Sequence, residues 1–331
     1  MSVRLPEADL PIVTPRTLLE DDVEVRFRLS PGDRALVAAG ETITVGTPLA
    51  ERLRDPKLVE RNVPDAMTVA PGVRWTPAEG SRDPAGELLF EWRGRWRMVT
   101  GEHAEPLESP VDGVVREVRA GVEIRVAPVG RALRGTVALG GPSRGRLELA
   151  TGAEGELRPG GLDVGLAGTI LVVGSRVDAE TLTRARAMGV RGIVVAGLSS
   201  KERRDFLASE ARQRAALHRL PGFGVLVLDG AVRRPIASPV MAIFGALAGR
   251  DVALVSDPPM LVFDPGNVEL PSAPPDLVRI RGGALSGREG RFLGALGPRR
   301  FPGGVHLEAG RVRFSDGTSA AVPIGDLERF A

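Results

Sequence analysis

The fold of this chain is decided by residues 168–197, which read GTILVVGSRVDAETLTRARAMGVRGIVVAG. The run Thr169–Val173 is apolar and rich in β-branched residues, which is typical of a strand buried on both faces. Asp178 is a good helix N-cap residue and Gly189 a good helix terminator. Residues 192–196 repeat the buried-strand pattern. The segment therefore predicts a strand, a crossover helix and a second, parallel strand.

The same alternation continues to residue 264. Ser199 and Glu202 form a capping-box pattern that opens a helix to about residue 220. The further elements predicted are a strand at 223–228, an apolar helix from 238 and a strand at 252–256. Strands that alternate with helices favour a parallel sheet with right-handed crossovers. This pattern is similar to Rossmann-like and flavodoxin-like domains.

Ligands of such sheets bind where the strands end at their carboxyl side. Glycines, hydroxyls and arginines follow three of the predicted strands, and they suit an anion held at a helix N-terminus. These anion-site candidates are Gly174, Ser175, Arg176, Gly197, Ser199, Gly230, Arg233 and Arg234. If an anion binds, its three arginines should converge near the glycines. Neither dinucleotide-binding nor phosphate-loop glycine motifs occur, and the same residue types form ordinary strand-to-helix turns.

The N-terminal half alternates short β-type runs with glycine turns. Residues 40–50, GETITVGTPLA, and residues 109–115, SPVDGVV, resemble the barrel-sandwich hybrid fold of biotinyl and lipoyl domains. Their order, with an insertion at about 56–100, is more similar to hybrid domains of an electron-transport complex subunit or of RNA polymerase. Carrier domains attach their cofactor to a hairpin lysine. Lys57, the only lysine in this half, lies outside both motifs, so we expect no attached cofactor.

Two segments near the insertion allow two interpretations each. In residues 87–100, ELLFEWRGRWRMVT, apolar and basic side chains alternate, which favours a half-buried sheet over a strand that contacts phosphates. His103 lies among Glu102, Glu105 and Glu108, which favours a solvated acidic loop over a metal site.

The C-terminal segment begins after a Pro-rich stretch at 271–275. Residues 277–290, LVRIRGGALSGREG, resemble the KOW motif, and an Asp316-Gly317 hairpin turn downstream fits an SH3-like barrel. KOW domains contact RNA or partner proteins. Strand alternation predicts that Arg279 and Arg281 face solvent together. The contact surface that the resemblance implies is Arg279, Arg281, Ser286 and Arg288, with Arg299 and Arg300 added from a long loop.

Composition excludes several kinds of chemistry. The chain has no cysteine and no tyrosine, which rules out disulfides, thiolate metal ligands and phenolic acid–base groups. Of its 44 basic residues all but Lys57 and Lys201 are arginine, and the formal charge of +2 does not by itself indicate nucleic acid. The first residues lack an apolar signal segment, and no apolar run approaches the roughly 20 residues of a membrane span. We therefore expect a cytoplasmic protein with no membrane partner.

The sequence thus predicts a multidomain α/β plus β protein. A barrel-sandwich-hybrid-like domain is expected at 1–160, an α/β domain at 161–268, a linker at 269–276 and a KOW/SH3-like barrel at 277–331. No catalytic constellation, metal site or cofactor is predicted, so the function expected is non-enzymatic binding of RNA, DNA or a protein partner through the barrel. The alternative is an enzyme or sensor that binds an anionic small molecule at the strand ends.

Overall fold

The computed structural model describes residues 14–62, 82–83, 86–92, 95–216 and 222–330. The described elements are mostly strands, arranged in several sheets, one of which carries α-helices. The first ten strands are β1 (Thr14–Arg16), β2 (Val25–Arg28), β3 (Arg34–Ala35), β4 (Thr42–Ile43), β5 (Pro48–Asn62), β6 (Arg82–Asp83), β7 (Gly86–Trp92), β8 (Arg95–Glu108), β9 (Gly113–Arg119) and β10 (Glu123–Pro128).

The middle of the chain contains the α-helices. Its elements are β11 (Arg131–Arg134), β12 (Val137–Gly140), β13 (Ser143–Leu149), β14 (Glu156–Leu157), β15 (Thr169–Val173), β16 (Arg176–Val177), α1 (Ala179–Ala187), β17 (Gly192–Val195), α2 (Ser200–Ala216), β18 (Gly224–Val227), α3 (Ser238–Leu247), β19 (Asp251–Ser256) and β20 (Pro259–Phe263). The last strands are β21 (Leu277–Ile280), β22 (Glu289–Arg300), β23 (His306–Phe314), β24 (Ser319–Pro323) and β25 (Leu327–Phe330).

The central sheet has eight strands in the order β11-β20-β19-β13-β15-β17-β18-β12. Strands β13, β15, β17 and β18 are parallel, and every residue of β15, β17 and β18 is buried because α1 and α2 cover one face and α3 the other. The predicted strand–helix–strand unit at 168–197 is confirmed. The strand predicted at 252–256 also forms, as β19, but it is antiparallel to its neighbours because it follows α3 to the far side of β13 and turns directly into β20.

Side chains cap the starts of both α1 and α2. Asp178 accepts a hydrogen bond from Thr181 N at 2.7 Å, and Ser199 Oγ accepts one from Glu202 N at 3.2 Å, so both predicted N-caps form. The Glu202 side chain, however, accepts from Ala179 N at 2.8 Å. It therefore stabilises the start of α1 instead of closing a capping box on its own helix. The predicted end of α2, near residue 220, lies outside the described residues.

The N-terminal strands form a four-stranded sheet, β2-β10-β9-β4, and a five-stranded sheet, β3-β5-β8-β7-β6. The two β-rich stretches of the sequence do pair with each other, through β4 and β9. Their core is continuous with the central sheet, since Val25, Ile43 and Ile124 pack in one cluster with Val255 and Met260. Strands β11 to β13, which the sequence placed in the N-terminal domain, pair in the central sheet.

The C-terminal sheet has six strands in the order β1-β25-β21-β22-β23-β24, so the first described strand completes a sheet made by the last five. The predicted Asp316-Gly317 turn joins β23 to β24, with Gly317 at a φ of 81°. Strand β21 pairs with β22 only as far as Arg291, and β24 pairs with β23 only back to Ala309. Residues 293–308 therefore continue as a two-stranded arm about 25 Å long, at roughly 3.3 Å per residue.

None of the described helices is both long enough and apolar enough to span a membrane.

Candidate nucleic-acid interface

Arg279 is buried, with 1% of its surface exposed, so the prediction that it faces solvent is wrong. Its Nη1 and Nη2 donate to the Asp229 carboxylate at 2.9 and 2.8 Å, and its Nε donates to Glu328. Its guanidinium also lies 5.6 Å from the ring centre of Phe330. Alternation does place Arg279 on the face of β21 that is opposite to the face of Val278 and Ile280. The second face of β21 packs against the carboxyl end of the central sheet rather than against water.

Arg279 belongs to a buried charge network that joins three parts of the chain. Asp229, two residues after β18, also forms an ion pair with Arg16 of β1. Burial by itself raises the pKa of Asp229, but the hydrogen bonds and positive charge of Arg279, together with Arg16, outweigh it and hold that pKa below its usual range. Arg279 is thus a positioning residue for the C-terminal sheet, and its donors are not available to phosphates.

The predicted contact residues in the first turn are accessible but only partly free. Arg281 is exposed and has no ion-pair partner among the described residues. Ser286 Oγ donates to the Arg281 carbonyl at 3.1 Å. Arg288 donates to Asp316 at 2.8 Å and its guanidinium lies 3.9 Å from the ring centre of Phe314.

Arg299 and Arg300 are placed in β22 and not in the predicted loop. Both are exposed on the arm, and neither has an ion-pair partner in the described parts of the chain. They lie about 35 Å along β22 from Arg288, at roughly 3.3 Å per residue. The predicted surface is therefore divided between the two ends of one long hairpin.

Three arginines that the sequence reasoning missed, Arg291, Arg311 and Arg313, lie between these ends. Arg311 and Arg313 are exposed and, within the described ranges, form no ion pair. By register Arg313 is opposite Arg291, Arg311 shares its face, and Arg299 is opposite Leu307, which alternation assigns to the same face. Ala309 lies on this face between Arg311 and Leu307 and is buried, so Arg299 is separated from the other three by a covered position. We call Arg291, Arg299, Arg311 and Arg313 the arginine row. The alternation in residues 311–314, RVRF, was the available signal.

In the described parts of the chain, Arg291 is the one member of the arginine row with an ionic partner, Asp276, at 2.5 Å. Positive charge is also concentrated around the row. Residues 277–331 contain nine arginines and five carboxylates, whereas the rest of the chain has slightly more acidic than basic residues. The formal charge of +2 for the whole chain does not show this local excess of positive charge.

Some anion-site candidates lie together, since Gly197 is close to Gly230 and Ser175 contacts Arg233, but the three arginines contact different groups. Arg176 pairs with Glu156 at 3.7 Å, while Arg233 Nε donates to Ser175 Oγ at 3.4 Å. The Arg234 Nε is buried and has no hydrogen-bond partner among the described residues, and the Arg234 side chain lies beside Gly287. The guanidiniums are therefore directed at different groups of the protein.

Protein atoms already occupy the carboxyl ends of the strands. Gly174 N donates to Thr151 Oγ1 at 2.8 Å. A Cβ on Gly197 would lie 2.4 Å from the Val232 carbonyl oxygen, so this glycine admits a neighbouring loop. Gly230 lies in the same loop, with a φ of 84°.

Carboxylates occupy helix starts that an anion would need. Besides Asp178 and Glu202 at α1, Glu289 of the C-terminal sheet accepts hydrogen bonds from Ser238 N, at 2.8 Å, and from Ser238 Oγ at the start of α3. Negative side chains at these positions repel an anion that would use the helix dipole.

A cleft of about 1010 Å³ lies at the opposite, amino ends of the parallel strands. Thr169, Arg191 and Gly222 border it from the central sheet, and Ser109 borders it from the N-terminal sheets. Four arginines and four carboxylates line it, so its charge is balanced and favours neither anions nor cations.

Among the described residues, no three His, Asp or Glu side chains are grouped closely enough to hold a metal ion; the His103 side chain is outside them. Comparison with known proteins found no family model that matches the chain and no curated protein similar to it in sequence.

Proposed function

We propose that this protein is a non-enzymatic, multidomain nucleic-acid-binding protein that contacts phosphates through the arginine row and the arm of its C-terminal sheet. The proposal includes a KOW-like, SH3-like barrel at the C-terminus and a barrel-sandwich hybrid fold in the N-terminal sheets. The observation that carries it is the row of exposed arginines along one face of β22 and β23, of which Arg299, Arg311 and Arg313 have no ionic partner among the described residues.

Unpaired arginines suit this task for a physical reason. A guanidinium presents donors in a planar fork that matches phosphate oxygens, and it stays charged at all physiological pH values. Arginines that already pair with carboxylates would have to break those contacts first. Arg299, Arg311 and Arg313 avoid that cost because their donors face water.

A small-molecule anion at the strand ends is less well supported. Asp229 is held there by Arg279, and Glu202 and Glu289 occupy helix starts. An anion would have to displace these carboxylates or approach against their charge.

The test is a fluorescence-anisotropy titration of labelled duplex DNA, duplex RNA and single strands over a range of salt concentrations. The triple change Arg299→Gln, Arg311→Gln and Arg313→Gln should weaken binding and make the slope of log K against log salt shallower by about 3. Gln keeps hydrogen-bonding capacity but removes the charge, so the effect reports phosphate contact.

The matched control changes three exposed arginines on α2, namely Arg203, Arg204 and Arg212, to Gln. This control has the same net charge as the test variant and should bind like wild type. Equal losses in both variants would indicate a general charge effect. No binding by the wild-type protein at low salt would contradict the proposal.

A further inference from the structure

The arm is accessible along almost its whole outer half. Residues 298–308 are all exposed except Phe301, which is half-buried. The turn is closed by hydrogen bonds from Phe301 N to the Val305 carbonyl at 2.9 Å and from Gly304 N to the Phe301 carbonyl at 3.0 Å. Gly303 and Gly304 have φ values of 84° and 79°, which permit this tight reversal.

The tip of the arm is apolar, and its flanks carry two arginines and one carboxylate, Glu308. Val305 is 51% exposed and Leu307 is 42% exposed, and Pro302 lies in the turn between the strands. Arg299 and Arg300 stand just behind the turn on opposite faces, since their partners Leu307 and His306 are adjacent residues. The tip therefore combines exposed apolar side chains with two exposed arginines.

We infer that the arm enters the minor groove of duplex DNA, inserts its apolar tip at a base step and bends the duplex. This inference rests on the nucleic-acid binding proposed above. Proteins that bend DNA from the minor groove insert apolar side chains, proline among them, to unstack a base step, while arginines neutralise the adjacent phosphates. Val305 and Leu307 supply the apolar wedge, and Arg299 and Arg300 reach phosphates on either side.

The aromatic residues of the C-terminal sheet argue against a single strand as the ligand. Proteins that bind single strands stack successive bases on exposed aromatic rings. Between residues 277 and 330, all of them described, no aromatic side chain is exposed: Phe314 and Phe330 are buried, and Phe292 and Phe301 are half-buried. A duplex offers phosphates and a groove without requiring such rings.

The composition of the arm also argues against reading of a base sequence. Direct readout uses amide, hydroxyl and guanidinium groups that contact base edges. Residues 293–308 contain no Asn, Gln, Ser or Thr, but they contain four glycines. The arm can therefore approach a groove closely but has few groups to tell one base from another. We expect recognition of deformable steps rather than of a fixed sequence.

The experiment measures duplex bending by energy transfer between dyes at the two ends of a DNA of about 30 base pairs, a length typical of a bent site. Wild-type protein should shorten the end-to-end distance to the extent of a kink of roughly 20–90°. The double change Val305→Ser and Leu307→Ser should abolish the shortening and reduce affinity about tenfold, since the apolar contact is lost.

Two further variants separate the wedge from the phosphate contacts. Arg311→Gln with Arg313→Gln should weaken binding but leave the bend intact at saturation, because these residues lie outside the arm. Val164→Ser removes an apolar side chain that is 81% exposed elsewhere and should change neither affinity nor bending.

Each outcome decides between the two proposals. Duplex binding without shortening, or shortening that survives Val305→Ser with Leu307→Ser, overturns the wedge and leaves nucleic-acid binding standing. Equal or tighter binding of single strands or duplex RNA overturns the choice of duplex DNA. No binding of any nucleic acid overturns both proposals and leaves the arm available to a protein partner.

Discussion

Arg279 joins two carboxylates, Asp229 and Glu328, at a position almost closed to water. A single buried charge is costly, and a buried pair is tolerated only when each member is satisfied. Arg16 supplies a second cation to the same carboxylate. The network therefore fixes where the C-terminal sheet lies. Its contribution to stability can be measured by removing one member.

Replacement of Arg279 by Met should destabilise the protein by about 3–5 kcal/mol, because Asp229 and Glu328 would remain buried without their shared partner. Urea unfolding followed by circular dichroism measures this. The control is Arg281→Met, two residues away and exposed, which should change stability by no more than about 0.5 kcal/mol. Similar losses in both variants would show that the network contributes little.

The ion pair between Arg279 and Asp229 predicts that the stability of the protein depends on pH. The pKa of Asp229 in the folded protein lies below its ordinary value of 3.8, so its contribution to stability is present above that value and is lost as pH falls through the depressed folded pKa. In Arg279→Met, only Arg16 would oppose the effect of burial on Asp229. The pKa of Asp229 should therefore rise. The stability difference between wild type and Arg279→Met should therefore shrink as pH falls from 7 towards 4. A constant difference across this range would exclude ionic coupling.

At the scale of elements, glycines decide how closely loops approach the central sheet. Gly197 ends β17 beneath the loop that follows β18, where a Cβ would lie 2.4 Å from the Val232 carbonyl oxygen. Gly245 sits within α3, where a Cβ would meet nothing within 4 Å. An added side chain would therefore collide with the loop at Gly197 but would fit without contact at Gly245.

Substitution by alanine at these two glycines should change stability in opposite directions. Gly197→Ala forces the loop outward and should cost about 1–3 kcal/mol, as overpacking does. Gly245→Ala should stabilise the protein by about 0.5–1 kcal/mol, because alanine loses less entropy in a helix. Thermal unfolding of the two variants is the measurement. Stabilisation by Gly197→Ala would show that the loop is free to move and would reopen a ligand site at this strand end.

At the scale of the whole molecule, the first and last described strands meet. Strand β1 pairs with β25, and Leu18 packs in the same core cluster as Phe330 and Ile243 of α3. Glu289 of the C-terminal sheet also binds the start of α3. The C-terminal sheet is thus tied to the central sheet by strand pairing, apolar packing and charge together.

A fragment of residues 271–331 should consequently not fold alone, although the sequence predicted a separate domain at 277–331. It lacks β1, and Arg279 would be left with Glu328 but without Asp229. Dispersion of amide resonances in its two-dimensional NMR spectrum measures folding. A well-dispersed spectrum identical to that of the same residues in the full chain would contradict this prediction.

Local pattern determined the central strands and helices. Buried apolar runs, Asp178, Ser199 and the glycines that end helices each act over a few residues, so β15, α1 and β17 could be predicted from one short segment. The Asp316-Gly317 turn follows from the same kind of signal. The alternation of side chains along β21 could also be predicted, since it depends only on the two-residue period of a strand.

Whether a given face of a strand is covered by protein or by water depends on the tertiary structure alone. Arg279 and Arg313 share the same alternating apolar–arginine context in sequence, yet one is buried against Asp229 and the other faces water. The difference arises from contacts about 50 residues apart in the chain, which no local period encodes. The arm likewise exists because β21 and β24 end before β22 and β23 do, and strand pairing length is a property of the assembled sheet.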